Sequence, residues 1–172
     1  MTHAKEDGRN NYQYFSRARS EAAFRKLFIE QELRKATGGH QFELHYQPKI
    51  RIDDDCIAGA EALLRWHHPS EGPISPAEFI PVSEQSGLII EISQWVLQQA
   101  IAQAARWRQS GIDIKISVNV SALHFREAAF VQQLLDYTAA CELPPENLCI
   151  EITEGALMTD TKDPMTAICQ LR

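Results

Sequence analysis

Three residues in separate stretches have the types and settings to do chemistry: Glu61, Asn119 and Glu151. Glu61 stands in the middle of Ile57-Ala58-Gly59-Ala60-Glu61-Ala62-Leu63-Leu64-Arg65, a short apolar strand that ends on a base. A carboxylate flanked by Ala60, Ala62, Leu63 and Leu64 loses hydration on folding and needs a metal, a cation or a set of donors. On a strand, Glu61, Leu63 and Arg65 share a face. That face joins a carboxylate suited to a metal and a guanidinium suited to a phosphate. From this stretch alone, the alternative is a buried Glu61–Arg65 pair inside a sheet. Asn119 and Glu151 each sit late in a strand, on the face away from its Ile/Val side. If the sheet curls into a barrel, all three point into the mouth at the C-terminal strand ends, where barrel enzymes place their sites. Two carboxylates and an amide are hard oxygen ligands, suited to Mg²⁺ or Mn²⁺ rather than zinc or copper. A cation there would let an acidic protein attract a phosphate, with Arg65 alongside. The competing account has Asn119 and Ser117 satisfying one another inside the barrel.

The surrounding pattern supplies the elements that would position these groups. Ser20 can cap a helix over residues 21–35, with Phe24, Leu27 and Phe28 on one face and Gly38-Gly39 as its stop. Residues 42–47 alternate as a strand does, with Phe42, Leu44 and Tyr46 opposite Glu43, His45 and Gln47; Pro48 ends that strand or marks a sheet edge. Asp53-Asp54-Asp55 is a turn, since neither a Gly nor a following Glu completes a calcium loop. After the strand carrying Glu61, His67-His68-Pro69 is expected to leave the sheet. Adjacent histidines point apart on an extended chain, which speaks against a metal pair. Ser75, Pro76 and Glu78 predict a capping box on a short helix that Pro81 and Gly87 limit. A longer helix follows over 90–109, its stripe of Ile92, Val96, Ala100 and Trp107 widened by Leu97, Ile101 and Ala104, and Gly111 stops it. Residues 112–121 are a strand, 123–140 a helix, 148–153 a strand, and a last helix starts at 163. Helix and strand alternate after the first hairpin, which implies a parallel sheet covered by helices.

The chain has 172 residues and a net charge of −6. That suffices for one domain with a sizeable core. The negative balance argues against a nucleic-acid polymer or an anionic membrane as partner, because both need clustered cations. It leaves room for a small anionic ligand held by a metal and one or two arginines. No apolar run is long enough for a transmembrane helix, and the first residues are too polar for a signal peptide. The four cysteines, Cys56, Cys141, Cys149 and Cys169, lack metal-site spacing. Reduced thiols in a cytoplasmic chain are the expectation.

A set of separated motifs then resembles one family. Gln47-Pro48, Glu61-Ala62-Leu63-Leu64-Arg65-Trp66, Pro76-Ala77-Glu78-Phe79-Ile80-Pro81, Glu84, Gly87, Ser117-Val118-Asn119-Val120-Ser121 and Glu151-Ile152-Thr153-Glu154 stand in order. Together they look like the N-terminal part of an EAL domain, the bacterial cyclic-di-GMP phosphodiesterase, over residues 20–172. Residues 1–19, above all Ala4-Lys5-Glu6-Asp7-Gly8-Arg9-Asn10, resemble the end of a GGDEF (diguanylate cyclase) domain and its linker. The resemblance implies an α/β fold: a partial (β/α)8 TIM-like barrel with an initial antiparallel strand, about half of the barrel being present. It implies a hydrolase that opens cyclic-di-GMP to linear pGpG in bacterial second-messenger signalling, with Mg²⁺ or Mn²⁺ as cofactor.

Carried over by motif, Glu61, Asn119 and Glu151 would be metal ligands. Arg65 would bind a phosphate oxygen, Gln47 would contact the nucleotide, and Leu63, Leu64, Ile80 and Pro81 would lie near its base and ribose surface. Glu154 would anchor a loop coupling the site to dimerisation. A homodimer and an upstream GGDEF domain are the expected protein partners, and upstream segments of the parent could anchor it to a membrane. A TIM barrel takes about 250 residues. The family's Asp-Asp pair, its catalytic lysine and its general base are therefore expected beyond Arg172, and no catalytic base is identifiable before it. The expectation is little or no hydrolysis by this chain alone. The alternative is a non-catalytic EAL-like module that binds cyclic-di-GMP or regulates.

Overall fold

The computed structural model describes residues 9–152, with side chains from residue 19 onward. Within that span the elements are α1 (Arg9–Ala36), β1 (Phe42–Ile50), β2 (Ile57–His68), β3 (Gly72–Ile74), α2 (Pro76–Ser86), α3 (Ile89–Gln109), β4 (Lys115–Val120), α4 (Ala122–Phe125), α5 (Phe130–Ala140) and β5 (Leu148–Ile152). The main sheet runs β1-β2-β4-β5, with β3 added to β2. β1 and β3 lie antiparallel to β2, whereas β2, β4 and β5 are mutually parallel. This is the expected hairpin leading into a βα alternation, with part of a barrel wall as its sheet.

Side-chain parity divides the sheet. The even-numbered Ala62, Trp66, Ile116, Val118 and Val120 join the buried core with Phe79, Ile92, Leu97, Ala100 and Ile101 of the helices. Burial of this surface, at about 25 cal/mol per Å² of apolar area, is the main term holding helices to sheet. Edge-to-face aromatic contacts add direction: Trp66 and Phe79 lie 5.4 Å apart between ring centres, and Tyr46 and Trp107 4.9 Å. The odd-numbered residues, Gln47, Glu61, Ser117, Asn119, Cys149 and Glu151 among them, form the opposite face. No helix among the described residues is long and apolar enough to cross a membrane.

Several expectations need correction. α1 begins at Arg9 rather than at residue 21, so residues 9–19 are helical. No Pro or Gly interrupts the run after Gly8, and Ser20 lies inside the helix rather than capping it. Its buried stripe is Ile29, Leu33 and Ala36, while Phe24 and Leu27 are exposed. Those three recur at the i, i+4, i+7 step and join the buried core, where α1 packs mainly on α2, with Phe28 edge-on to His68 at 5.6 Å. β1 runs through Pro48 to Ile50, and Pro48 is tolerated because β1 is the outer strand on that side.

β2 continues to His68, because β3 pairs with its last three residues and prolongs the sheet. Ser75 precedes α2 and Pro76 opens it, but no side-chain cap bond forms. Glu78, the residue meant to close the box, is drawn instead to the Arg25 guanidinium, whose Nε lies 2.5 Å away. Pro81 sits inside α2, which ends only at left-handed Gly87, φ 77°. The strand expected over 112–121 is confined to Lys115–Val120. The helix expected over 123–140 breaks into α4 and α5. Phe125 and Phe130 are five residues apart, about 140° around a continuous helix. The break lets both bury, with rings 5.3 Å apart. The expected helix from residue 163, the first eight residues of the GGDEF-like match over 1–19, and Thr153 and Glu154 lie outside the described residues.

Candidate functional site

The register of the parallel strands brings the three oxygen-bearing residues together. Glu61 of β2 pairs with Gln47 of β1 on one side and with Ser117 of β4 on the other. One step along that face, Asn119 of β4 pairs directly with Glu151 of β5. The Asn119 amide Nδ2 donates to Glu61 Oε1 at 2.7 Å. Asn119 is thus spent on Glu61 and not on Ser117. Glu61 is half-buried rather than buried, and it makes no ion pair with Arg65, whose Nη1 turns to the Leu64 carbonyl at 2.9 Å. Both bland alternatives from the sequence therefore fail.

One residue of this cluster escaped the sequence. Lys49, on β1 just past Pro48, reaches across β2 to donate to Ser117 Oγ at 2.8 Å and to Glu151 Oε1 at 2.5 Å. The Lys49 hydrogen bond, aided by Ser117, holds the Glu151 carboxyl below the usual carboxylate range. The reciprocal bond, together with the charges of Glu151 and Glu61, pushes the Lys49 ammonium up. The only hint in the sequence was parity, because Lys49 continues the Gln47 face.

This donor set fits a hard divalent cation. A positive group already stands among the carboxylates, and it is an ammonium on a flexible stem that can withdraw. Glu61 and Glu151 supply carboxylate oxygens, and turning the Asn119 amide over would present Oδ1.

Beside this face lies a cavity of about 220 Å³ between β2, β4, α2 and α3. Leu63, Leu64, Arg65, Ile80 and Asn119 are among its walls, as are Pro76, Glu84 and Ser93. Four of the residues expected to meet the ligand's base, ribose and phosphate surface therefore line one cavity, and Asn119, also in its lining, bonds to Glu61. Gln47 stands on the open face opposite Glu61 rather than in the cavity, and Pro81 is exposed outside it. The expected loop anchor, Glu154, lies outside the described residues.

Comparison with known proteins agrees with this geometry. The EAL domain family matches residues 30–172. The bifunctional diguanylate cyclase/cyclic di-GMP phosphodiesterase MucR of Pseudomonas aeruginosa is 39% identical over 172 residues, 99% of this chain and 25% of that protein. The cyclic di-GMP phosphodiesterase PdeR of Escherichia coli is 32% identical over 99% of this chain and 26% of its own length. A solved structure of the PaMucR phosphodiesterase in complex with c-di-GMP superposes with a TM-score of 0.78 at 39% identity, over 83% of this chain and 58% of that one. The chain thus spans about a quarter of the length of these two curated relatives. With the family match over most of its length, this chain belongs to the EAL domain family.

Proposed function

We propose that this chain is the N-terminal part of a domain that binds cyclic-di-GMP and, in its parent protein, hydrolyses it to linear pGpG. The convergence of Glu61, Asn119 and Glu151 on one face of β2, β4 and β5 carries this reading. In it, Glu61, Asn119 and Glu151 hold Mg²⁺ or Mn²⁺. Such an ion, when bound, activates water and neutralises charge on the phosphodiester. Arg65 takes a phosphate oxygen, its guanidinium offering a fork of donors. Leu63, Leu64 and Ile80 cover a base or ribose surface in the cavity, and Gln47 adds an amide contact from β1. Glu154 is assigned the loop that links the site to a dimer partner, and an upstream GGDEF domain is the proposed neighbour in the parent. The names of the relatives, which include cyclic di-GMP phosphodiesterases, support the substrate class.

The same geometry favours little turnover by the 172-residue chain alone. Among the described residues, the two carboxylates of the cluster, Glu61 beside Asn119 and Glu151 beside Lys49, are both assigned to the metal in this reading, and neither is given the role of general base. A second reading, a module that binds cyclic-di-GMP without cleaving it, draws on the same Lys49 contact, because an ammonium can offset the carboxylates without a metal. The test is calorimetry of cyclic-di-GMP binding to the chain with and without Mn²⁺, together with chromatography for pGpG. Binding strengthened by Mn²⁺, and lost with Glu61→Gln or Arg65→Ala, is expected. Binding indifferent to metal and to Glu61→Gln would favour the second reading, and turnover at the rate of a complete phosphodiesterase would refute the inactivity of the chain alone.

A further inference from the structure

At the other end of the β1–β2 hairpin, three side chains outside the site just described converge on one point. Glu43 and His45 are two apart on β1 and so share a face, and His67 on β2 reaches the same place diagonally. Glu43 Oε1 lies 2.5 Å from His45 Nε2 and 2.8 Å from His67 Nε2. One donor atom from each residue falls within 4.8 Å of the other two. The partner choice of Glu43 is informative. Arg65 stands directly opposite it in the strand register, yet its guanidinium turns to a backbone carbonyl, and the carboxylate is left to two imidazoles. The strand framework is firm here, because the His67 amide donates to the Gln41 carbonyl at 2.8 Å and the Trp66 indole to the Gln41 side chain at 3.0 Å. His68, next along β2, points to the buried side, so the imidazole partner of His67 comes from β1 and not from its neighbour in sequence.

We infer that Glu43, His45 and His67 form a binding site for a borderline-soft divalent transition metal, with zinc as its best occupant. Two imidazole nitrogens and one carboxylate oxygen are the donor set of three-ligand zinc sites, with bonds of about 2.0–2.2 Å and a fourth position left to water. Loading an ion replaces the shared imidazole–carboxylate contacts: the three exposed side chains draw slightly apart and each ring carries its proton on Nδ1, which frees the Nε2 lone pair for the metal. The two nitrogens set this site apart from the Glu61–Asn119–Glu151 oxygens and select against Mg²⁺. Glu43 is four residues from Gln47, about 13 Å along an extended strand, so the two sites can be loaded separately.

The experiment is calorimetric titration of the full chain, reduced and metal-free, with Zn²⁺ in the presence and absence of excess Mg²⁺. The expected result is one Zn²⁺ per chain with Kd in roughly the micromolar range, unaltered by Mg²⁺. Loss of even an outer-shell partner weakens metal sites by about 10–100-fold, so His45→Ala, His67→Ala and Glu43→Gln should each do at least as much. His67→Gln, which keeps a polar side chain at the same exposed position, guards against misfolding, with circular dichroism confirming the fold of each variant. Glu61→Gln should leave the Zn²⁺ isotherm as it was. Zn²⁺ binding that survives both histidine substitutions, that follows Glu61 instead, or that is absent from the wild-type chain would overturn the assignment. These outcomes are independent of whether the chain binds or cleaves cyclic-di-GMP.

Discussion

Lys49 and Glu151, from the two outer strands of the main β1-β2-β4-β5 path, meet across β2 and β4, with Lys49 Nζ 2.5 Å from Glu151 Oε1. The ammonium therefore stands where the proposed cation would be shared, and cation binding has to displace it. Charge-assisted hydrogen bonds are worth about 1.5–3 kcal/mol. This pair is more than a third exposed on both sides, which reduces the figure to about 1 kcal/mol. Lys49→Met should therefore tighten Mn²⁺ binding roughly fivefold. Calorimetry with Mn²⁺ reads this directly; weaker binding in the variant would show that Lys49 supports the cation rather than competing with it.

His124 offers a pH-dependent test remote from that face. It is buried, its Nδ1 lies 2.8 Å from Ser93 Oγ, and its ring stands edge-on to Phe130 at 4.9 Å. Burial lowers its pKa from the ordinary value of 6.5. The unfolded chain then takes up the proton first, so stability is full above the unfolded pKa and declines as pH falls from there toward the depressed folded value. Thermal unfolding between neutral pH and pH ~5 should show this decline in the wild-type chain, and His124→Asn should flatten it. Equal slopes in the two proteins would rule out His124 as its source.

Gly59 of β2 pairs with Lys115 of β4, and a Cβ there would lie 2.7 Å from the Lys115 carbonyl oxygen. Gly59→Ala must push backbone against backbone. Overpacking of this kind costs about 1–3 kcal/mol. Urea unfolding should place the loss in that range, and metal binding should weaken too, because Glu61 is two residues along the displaced strand.

Phe79 is fully buried between Trp66 and Phe42. Truncating such a side chain to Ala costs about 3–5 kcal/mol. Phe79→Ala should therefore lower the urea midpoint severely, whereas Phe24→Ala, on the exposed side of α1, should leave it nearly unchanged. A similar loss for both would mean that the outer face of α1 is packed in solution.

The sheet, and the face on which the candidate site residues lie, were legible in the sequence because alternation is a direct record of which face is buried. Ile116, Val118 and Val120 read as inward, so Ser117 and Asn119 had to face the other way, and the same parity aligned Glu61 with Glu151. What escaped depends on contacts that no local pattern contains. Lys49 after a proline looks like a surface base, and only the register across two strands reveals its partners. β3 is three residues long and exists through its pairing with β2. The break between α4 and α5 follows from burying Phe125 and Phe130 together, and the loss of the capping box follows from Arg25 claiming Glu78. His45 and His67 gave no signal because they stand far apart in sequence and adjacent in space.

Arg25 bonds at once to Glu78 at the start of α2 and to Glu71 in the turn before β3. α2 in turn supplies Pro76, Ile80 and Glu84 to the cavity wall that Arg65 shares. Through Arg25 the long first helix is therefore fastened to the element that walls the proposed ligand pocket, and a displacement of α1 that keeps both ion pairs would carry the start of α2 with it.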